Sequence, residues 1–272
     1  MNYKEIMLRD IEPKLSFSNA TLRIYISSRN ESISYRPGLL VLPGGGYTCC
    51  SPREAEPIAF RFLSEGFNCF ILNYSTFKKY PQPHLEVAAA MKYIREHEKE
   101  FDLIPNSLSL IGFSAGGHLV GSYGYLYKEV AKELSYELEL IRPRALVLAY
   151  PVTIFNEFTH KGTMDIICGD DESLKTKLSI PNNVSNDYPP TFAWATKDDE
   201  MVPVINTEML KKALEANHVF NKCLIFDSGR HGASMDNRSV YLKSDITDKM
   251  KEFRDWASLA SDFIFDVIDN RK

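Results

Sequence analysis

The sequence lacks the excess of charge of one sign that nucleic acids or anionic membrane surfaces attract. Its 32 lysine and arginine residues are balanced by 36 aspartate and glutamate residues, which leaves a net charge of −4. It also lacks long hydrophobic runs, since none of its apolar segments approaches the roughly 18 consecutive residues that a membrane-spanning helix needs. These absences argue against a nucleic-acid-binding protein and against an integral membrane protein.

Two further absences concern the compartment. The first ten residues alternate charged and apolar side chains and contain no uninterrupted apolar segment of the kind that a signal peptide requires. The five cysteines form no CxxC pair, and none has metal-ligand spacing with a histidine. We therefore expect a cytoplasmic protein with reduced, mostly buried thiols and no metal site.

The order of apolar segments is the main sign of the fold. Short apolar runs, most of them too continuous for a half-exposed strand, alternate with segments of helical periodicity. The predicted strands are Thr21–Ile26, Gly38–Leu42, Phe67–Tyr74, Leu108–Gly112, Ala145–Tyr150, Thr191–Thr196 and Val219–Phe226. The predicted helices run from Ser51 to Leu63, Leu85 to Ile94, Ala115 to about Leu126, Val204 to Ala216 and about Thr247 to Ile268.

This alternation predicts an α/β fold with a mostly parallel central sheet and helices on both faces. Between Val152 and Pro190 the periodicity fails. An irregular stretch of this length inside a compact fold is typical of a cap or a binding loop. We expect a single domain over residues 1–272 with a small cap-like insertion at about 152–190.

The segment Gly112–Gly116 has the form G-x-S-x-G, directly after a predicted strand and directly before a predicted helix. In this context the serine lies on a tight strand-to-helix turn that projects its oxygen into a cleft. Glycines on either side avoid a clash with the neighbouring backbone. The pattern therefore predicts Ser114 as a nucleophile and the N–H of Ala115 as a donor facing the reacting carbonyl.

A second glycine-rich loop, Pro43–Tyr47, follows the predicted strand Gly38–Leu42. A flexible turn and a phosphate-binding loop are the alternatives, but neither G-x-G-x-x-G nor a G-K-[ST] ending is present. The loop occupies the place of the segment that supplies oxyanion-hole amides in hydrolases with a G-x-S-x-G turn. We expect Gly45 and Gly46 to be those donors.

A serine nucleophile needs a base and a group that orients the base. The acidic loop with Asp198 and Asp199 follows the strand Thr191–Thr196, and His231 lies between glycines after the last predicted strand. Ligands of open α/β sheets bind at the carboxyl ends of the strands, where both loops begin. We therefore expect Asp199 and His231 to complete a triad with Ser114.

The other histidines lack this combination of strand end, loop and chain order. We expect His84 and His97 to flank a surface helix and His160 to lie in the cap. His118 follows the nucleophile on the same predicted helix, and we expect it to be a packed or capping residue.

With these residues in place, the chain resembles α/β-hydrolases of the carbohydrate acetylesterase type, the acetyl-xylan-esterase-like or BD-FAE-like family. The matching motifs are PGGGY at 43–47, GFSAGGHL at 112–119, PTFAWAT at 190–196 with D-x-x-V-P at 199–203, and HG at 231–232. The D-x-x-V-P spacing selects Asp199, so we expect Asp198 to be solvated or to bind amides of its own loop. Pro43 stands where the HGGG-type segment of other α/β-hydrolases has a histidine, which is a departure from that wider pattern.

The resemblance implies hydrolysis of small acyl esters, typically acetyl groups on sugars, without a cofactor. Without an export signal, an imported acetylated oligosaccharide is a more coherent substrate than polymeric xylan. The residues leave open an amide hydrolase on the same fold, such as a small peptidase or an arylformamidase. A catalytically silent binding protein is the other alternative. Acyl length, the alcohol and oligomeric state are not determined by the sequence, which is compatible with a homo-oligomer.

Overall fold

The computed structural model describes residues 1–241 and 255–270, and within them eight β-strands form a single sheet. The order across the sheet is β1-β2-β4-β3-β5-β6-β7-β8, with antiparallel pairing at β1–β2 and β2–β4 and parallel pairing elsewhere. The strands are β1 (Asn2–Met7), β2 (Thr21–Ile26), β3 (Gly38–Leu42), β4 (Asn68–Asn73), β5 (Ser109–Phe113), β6 (Leu146–Ala149), β7 (Thr191–Thr196) and β8 (Asn221–Phe226).

Helices cover both faces of this sheet. The described helices are α1 (Leu8–Ile11), α2 (Glu56–Ser64), α3 (Gln82–Glu96), α4 (Ala115–Leu134), α5 (Leu138–Ile141), α6 (Lys161–Cys168), α7 (Glu172–Leu178), α8 (Ile205–Ala216) and α9 (Trp256–Ile268). Side chains of α3, α4 and α8 pack in one hydrophobic core, and side chains of α2 and α9 pack in a second core on the opposite face. Across the described ranges, no helix combines the length and apolarity needed to cross a membrane.

The continuous apolar runs form strands because both of their faces are covered. Every residue of Gly38–Leu42, Ser109–Phe113, Leu146–Ala149 and Thr191–Thr196 is buried. A strand with one wet face would alternate polar and apolar residues, and these four do not. The predicted α/β class, with a mostly parallel sheet between helical layers, is thereby confirmed.

The first strand was not predicted. Asn2–Met7 pairs with β2 at the edge of the sheet, and four of its six residues are exposed. Its mixture of charged and apolar residues therefore indicates no buried face. The helix after the nucleophile extends to Leu134, eight residues beyond the predicted end. The last helix is described from Trp256, and the part predicted before residue 255 lies outside the described residues.

The irregular stretch 152–190 contains the short helices α6 and α7 and a 3₁₀ turn at Ile180–Asn183. Two of its aromatic side chains belong to the core: Phe155 stacks on His118 with ring centroids 4.6 Å apart, and buried Tyr188 donates a hydrogen bond to the carbonyl oxygen of Gly121. Phe158 is about half exposed, with 49% of its surface accessible. Of these three aromatic residues, Phe158 alone is free to meet a ligand.

Candidate active site

Ser114 joins β5 to α4 in a strained backbone conformation, with φ 50° and ψ −115°. Its N–H donates to the carbonyl of Ala149 (3.0 Å), and its own carbonyl accepts from the N–H groups of His118 (2.9 Å) and Val152 (3.3 Å). A residue keeps such an unfavourable backbone conformation only when surrounding contacts hold it there, and strained residues of this kind are concentrated at functional sites. The turn holds the hydroxyl at the carboxyl end of the sheet, as the G-x-S-x-G pattern predicts.

Gly112 lets the first turn of α4 pack directly against β5. A Cβ at this position would overlap the carbonyl oxygen of Gly116 and approach the nitrogen of Gly117 to 2.8 Å. Both obstacles are backbone atoms, so a side chain there must displace the turn that carries Ser114.

Gly112→Ala is therefore expected to lower the free energy of unfolding by about 1–3 kcal/mol, the range for overpacked sites, and to reduce activity with it. Gly162→Ala is the matched control, because a Cβ there makes only ordinary contacts, the nearest at 3.4 Å to His160. Denaturant unfolding of the two variants tests the expectation. Equal stabilities would show that the turn tolerates the methyl group.

His231 lies in the loop after β8, and its Nε2 is 2.8 Å from the Oγ of Ser114, 117 residues earlier in the chain. The loop is fixed before it reaches the histidine: the hydroxyl of Thr196 donates to the carbonyl of Gly229 at 2.6 Å. The imidazole also packs edge-on against the ring of Tyr150, with centroids 5.1 Å apart. The base position predicted from chain order is thus within hydrogen-bonding distance of the nucleophile.

Asp199 lies on the other side of the imidazole. Its Oδ2 is 2.7 Å from the Nδ1 of His231, and its Oδ1 accepts from the N–H groups of Met201 and Val202, both at 2.9 Å. The Asp199 side chain is 1% exposed. An acceptor at Nδ1 places the ring proton there and leaves Nε2 free to accept the proton of Ser114.

Asp198 is exposed, in agreement with the expectation that it is solvated. Its side chain also reaches the neighbouring loop: Oδ1 accepts from the N–H of Gly229 at 2.6 Å and Oδ2 from the hydroxyl of Ser228 at 2.7 Å. The two neighbouring aspartates therefore act on one loop, Asp199 on His231 itself and Asp198 on the residues just before it.

The loop Pro43–Tyr47 lies beside Ser114. Gly45 has φ +124° and Gly46 φ +62°, and a Cβ on Gly45 would overlap the carbonyl oxygen of Cys49. The carbonyl of Gly45 accepts from the N–H groups of Thr48 (2.9 Å) and Cys49 (3.2 Å), which holds the loop in this shape. Within the described residues, the N–H groups of Gly45, Gly46 and Ala115 have no acceptor, as donors reserved for a ligand require.

A cavity of about 500 Å³ opens over these groups. The cavity is lined by Ser114, His231, Gly45, Gly46, Glu54 and His160, together with the exposed residues Cys49 and Arg53.

The cysteines are less buried than we expected. Cys69 and Cys168 are buried, but Cys49 is exposed, so the expectation of mostly buried thiols was wrong for Cys49. Among the described residues, no group of three or more histidine, cysteine, aspartate or glutamate side chains could hold a metal ion.

Two residues of this cavity were missed from the sequence. Glu54 was assigned no role from the sequence, but the residue is 3% exposed and its Oε2 accepts the N–H of Gly44 in the glycine loop. His160 was placed in the cap without a role. No local sequence pattern distinguishes Glu54 from neighbouring acidic residues. Its position shortly after the glycine loop is the one feature of the sequence that could have indicated a place near the site.

His160 is the N-cap of α6 and presents a fixed tautomer. Its Nδ1 accepts from the N–H of Thr163 at 3.3 Å and lies 2.8 Å from the Thr163 hydroxyl. Burial, and to a lesser extent the neighbouring His231, lowers the pKa of His160. The ring is therefore neutral at pH 7 with its proton on Nε2.

The remaining buried histidines belong to the core. His118 packs as expected: Nδ1 accepts from the hydroxyl of Tyr47 at 2.9 Å and Nε2 donates to the carbonyl of Leu178 at 3.0 Å. Burial lowers the pKa of His118 to about 4. The expectation for His84 was wrong, since the helix α3 is largely buried and the imidazole is fully enclosed beside Ser122.

Comparison with known proteins gives a family match over most of the chain. The BD-FAE family model matches residues 22–214. Endo-1,4-beta-xylanase B of Butyrivibrio fibrisolvens is 32% identical over 216 residues, which are 76% of this chain and 34% of that protein. Acetylxylan esterase of Xylanibacter ruminicola is 30% identical over 233 residues, 78% of this chain and 45% of that protein. The chain thus corresponds to between a third and a half of these longer relatives.

Solved structures match the whole architecture. The acetyl ester-xyloside bifunctional hydrolase from Caldicellulosiruptor lactoaceticus superposes with a TM-score of 0.83 at 32% identity, covering 97% of this chain and 96% of that one. The solved structures that match this chain also include an α/β hydrolase from a deep-sea metagenome library, with a TM-score of 0.76 at 29% identity. The fold of this chain is therefore the α/β-hydrolase fold that the motifs predicted.

Proposed function

The chain belongs to the BD-FAE family, and from that premise we propose that it is a serine carboxylic ester hydrolase that removes small acyl groups, acetyl above all, from sugars or oligosaccharides. One observation carries the proposal: an unbroken hydrogen-bonded series from Ser114 through His231 to Asp199, with distances of 2.8 and 2.7 Å, faces a cavity lined by unpaired glycine amides.

The geometry supports an acyl-enzyme mechanism. The Oγ of Ser114 attacks the ester carbonyl while the Nε2 of His231 takes its proton. Asp199 keeps the ring proton on Nδ1 and stabilises the imidazolium that forms. The tetrahedral oxyanion is bound by the N–H groups of Gly45, Gly46 and Ala115, each such donor being worth about 3–4 kcal/mol of barrier in subtilisin.

Collapse of this intermediate expels the alcohol, which takes the proton from His231, and leaves the acyl group on Ser114. A water molecule then attacks the acyl-enzyme while His231 takes its proton. As the bond between the acyl carbon and the Oγ of Ser114 breaks, His231 returns that proton to Oγ and the carboxylic acid departs. This cycle needs no cofactor, since each proton moves between the substrate, water, Ser114 and His231.

Residues 152–190 fit the role of a cap-like insertion in one catalytic domain. His160 and Gly162 bring this segment to the wall of the cavity, and the Nε2–H of His160 is a neutral donor available to a substrate oxygen. Phe158, half exposed in the same segment, is the candidate platform for a sugar ring.

A fluorophosphonate probe followed by a substrate panel tests the function. The probe labels an activated serine, so the wild-type protein should react and an unreactive protein would indicate a silent binding protein. The panel contains acetylated xylo-oligosaccharides, nitrophenyl esters and formyl-kynurenine. Preference for the formamide would assign an amide hydrolase instead of an esterase.

Activity is expected to be highest on acetyl esters and to fall as the acyl chain lengthens, in keeping with a relative that is an acetylxylan esterase. The measurement is kcat/KM for nitrophenyl acetate, butyrate and hexanoate under one set of conditions. A maximum at butyrate or beyond would contradict the acetyl preference while leaving the esterase reaction intact.

A further inference from the structure

Glu54 is a buried carboxylate at the cavity that the proposed mechanism does not use. It closes the 3₁₀ turn Pro52–Glu54, which follows the glycine loop, and it is 3% exposed. Within the described ranges it makes no ion pair with a lysine or arginine. A buried charge without a cation is costly unless hydrogen bonds replace its lost hydration, and Glu54 has two such hydrogen-bond partners.

The first partner is the oxyanion loop. The Oε2 of Glu54 accepts the N–H of Gly44 at 2.8 Å, immediately before the two glycines assigned as oxyanion donors. A Cβ added to Gly44 would lie 2.7 Å from this oxygen and 3.0 Å from the Cβ of Ser114. Glu54 therefore holds the loop at the point where it passes the nucleophile.

The second partner leads to the base. The Oε1 of Glu54 accepts the hydroxyl of Tyr150 at 2.7 Å, and that hydroxyl in turn accepts the N–H of Ser234 at 3.1 Å. The ring of Tyr150 packs edge-on against His231, and Ser234 lies three residues beyond that histidine. One carboxylate thus connects the loop of the oxyanion donors with the loop of the base.

The hydrogen bonds also indicate the charge state. The Gly44 N–H can only donate, and the Tyr150 hydroxyl donates to Glu54 because it already accepts from Ser234. Both oxygens of Glu54 therefore act as acceptors, as those of an ionised carboxylate do. Burial raises the pKa of Glu54 above its ordinary value, and the bonds from Tyr150 and Gly44 and the neighbouring His231 and Arg53 offset this increase only in part.

We propose that Glu54 is a positioning residue of the esterase reaction, which fixes the oxyanion loop and the His231 loop together and places a second buried negative charge near His231. This inference rests on the proposed function. When His231 takes the proton of Ser114, the imidazolium gains from this charge as well as from Asp199, because a nearby negative charge favours the charged form of a base. The other charged or titratable groups around His231 are Asp199, Arg53, His160, Tyr150, Arg230 and Tyr241.

Glu54→Gln tests the charge with little change of volume. We expect kcat for nitrophenyl acetate to fall about tenfold to 100-fold, because small displacements of catalytic groups cause losses of this size. KM should change much less. The acidic limb of the pH profile of kcat/KM should move to lower pH, because the variant lacks a buried negative charge that favours the cationic form of a neighbouring base. Glu56→Gln is the matched control, since Glu56 pairs with Arg23 and does not line the cavity; its profile should match the wild type.

Glu54→Asp keeps the charge, so its acidic limb should stay at the wild-type position even if kcat falls. A Glu54→Gln protein with wild-type kcat and an unmoved limb would overturn the proposal. So would a loss of activity without a shift of the limb, which would assign Glu54 to folding alone.

Tyr150→Phe keeps the proposal testable if Glu54→Gln does not fold. Removing the Tyr150 hydroxyl breaks its hydrogen bond to Glu54 but keeps the charge of Glu54. We therefore expect kcat to fall while the acidic limb of the pH profile stays at the wild-type position. A wild-type kcat would show that this hydrogen bond does not position the two loops. Failure of the esterase function itself is distinguishable, because the wild-type protein would then neither react with the fluorophosphonate probe nor hydrolyse nitrophenyl acetate.

Discussion

Ser114→Ala is expected to abolish ester hydrolysis, with a loss in kcat of about five to six orders of magnitude, as when the nucleophile of a serine protease is removed. The Oγ of Ser114 lies 2.8 Å from the Nε2 of His231, and among residues 1–241 and 255–270 no other hydroxyl bonds this nitrogen. The fold should survive, because the three backbone hydrogen bonds that hold the turn do not involve the side chain. Alanine also adds no bulk at φ 50°.

The measurement is kcat/KM for nitrophenyl acetate, with circular dichroism and thermal unfolding as checks of folding. Ser122→Ala is a matched control on the same helix, because that serine is buried and bonded to His84 but lies outside the cavity. It should keep its activity even if its stability falls. A folded Ser114→Ala protein with more than a trace of activity would contradict the assignment of the nucleophile.

Asp199→Asn is expected to lower kcat by about 10⁴-fold, the effect of the equivalent change in a serine protease, with little change in substrate binding. The structure gives the reason. The N–H groups of Met201 and Val202 both require an acceptor at Oδ1, so an asparagine must turn its amide nitrogen towards His231. The Nδ1 of His231 then accepts, its proton moves to Nε2, and Ser114 loses its base.

Asp198→Asn is the comparison, and its effect should be about tenfold or less. Asp198 accepts hydrogen bonds from Ser228 and Gly229, which precede His231 in the loop, and the oxygen of an asparagine can still accept one of the two. Both variants are assayed for kcat and KM beside the wild type. A larger loss in Asp198→Asn would make Asp198 the acid, and two mild variants would place the acid elsewhere.

Much of the architecture could be predicted because the local pattern carries it. β3, β5, β6 and β7 are buried on both faces, and their continuous apolar runs reflect this directly. β1 could not be predicted in the same way. It is held by backbone pairing with β2 at the sheet edge, and such pairing places few demands on the side chains.

The sequence by itself determined the candidate positions Ser114, Asp199 and His231, since each follows a predicted strand and lies in a recognisable turn or loop. The contact of Ser114 with His231 across 117 residues follows from the parallel order of β5, β7 and β8, whose carboxyl ends share one edge. Only the tertiary structure decided the places of Glu54 and His160. The hydrogen-bond partner Tyr150 of Glu54 lies 96 residues away in the chain. The side chain of His160 bonds to nearby Thr163, but its place at the cavity depends on how the 152–190 segment packs. No local periodicity encodes which distant group will lie beside a side chain.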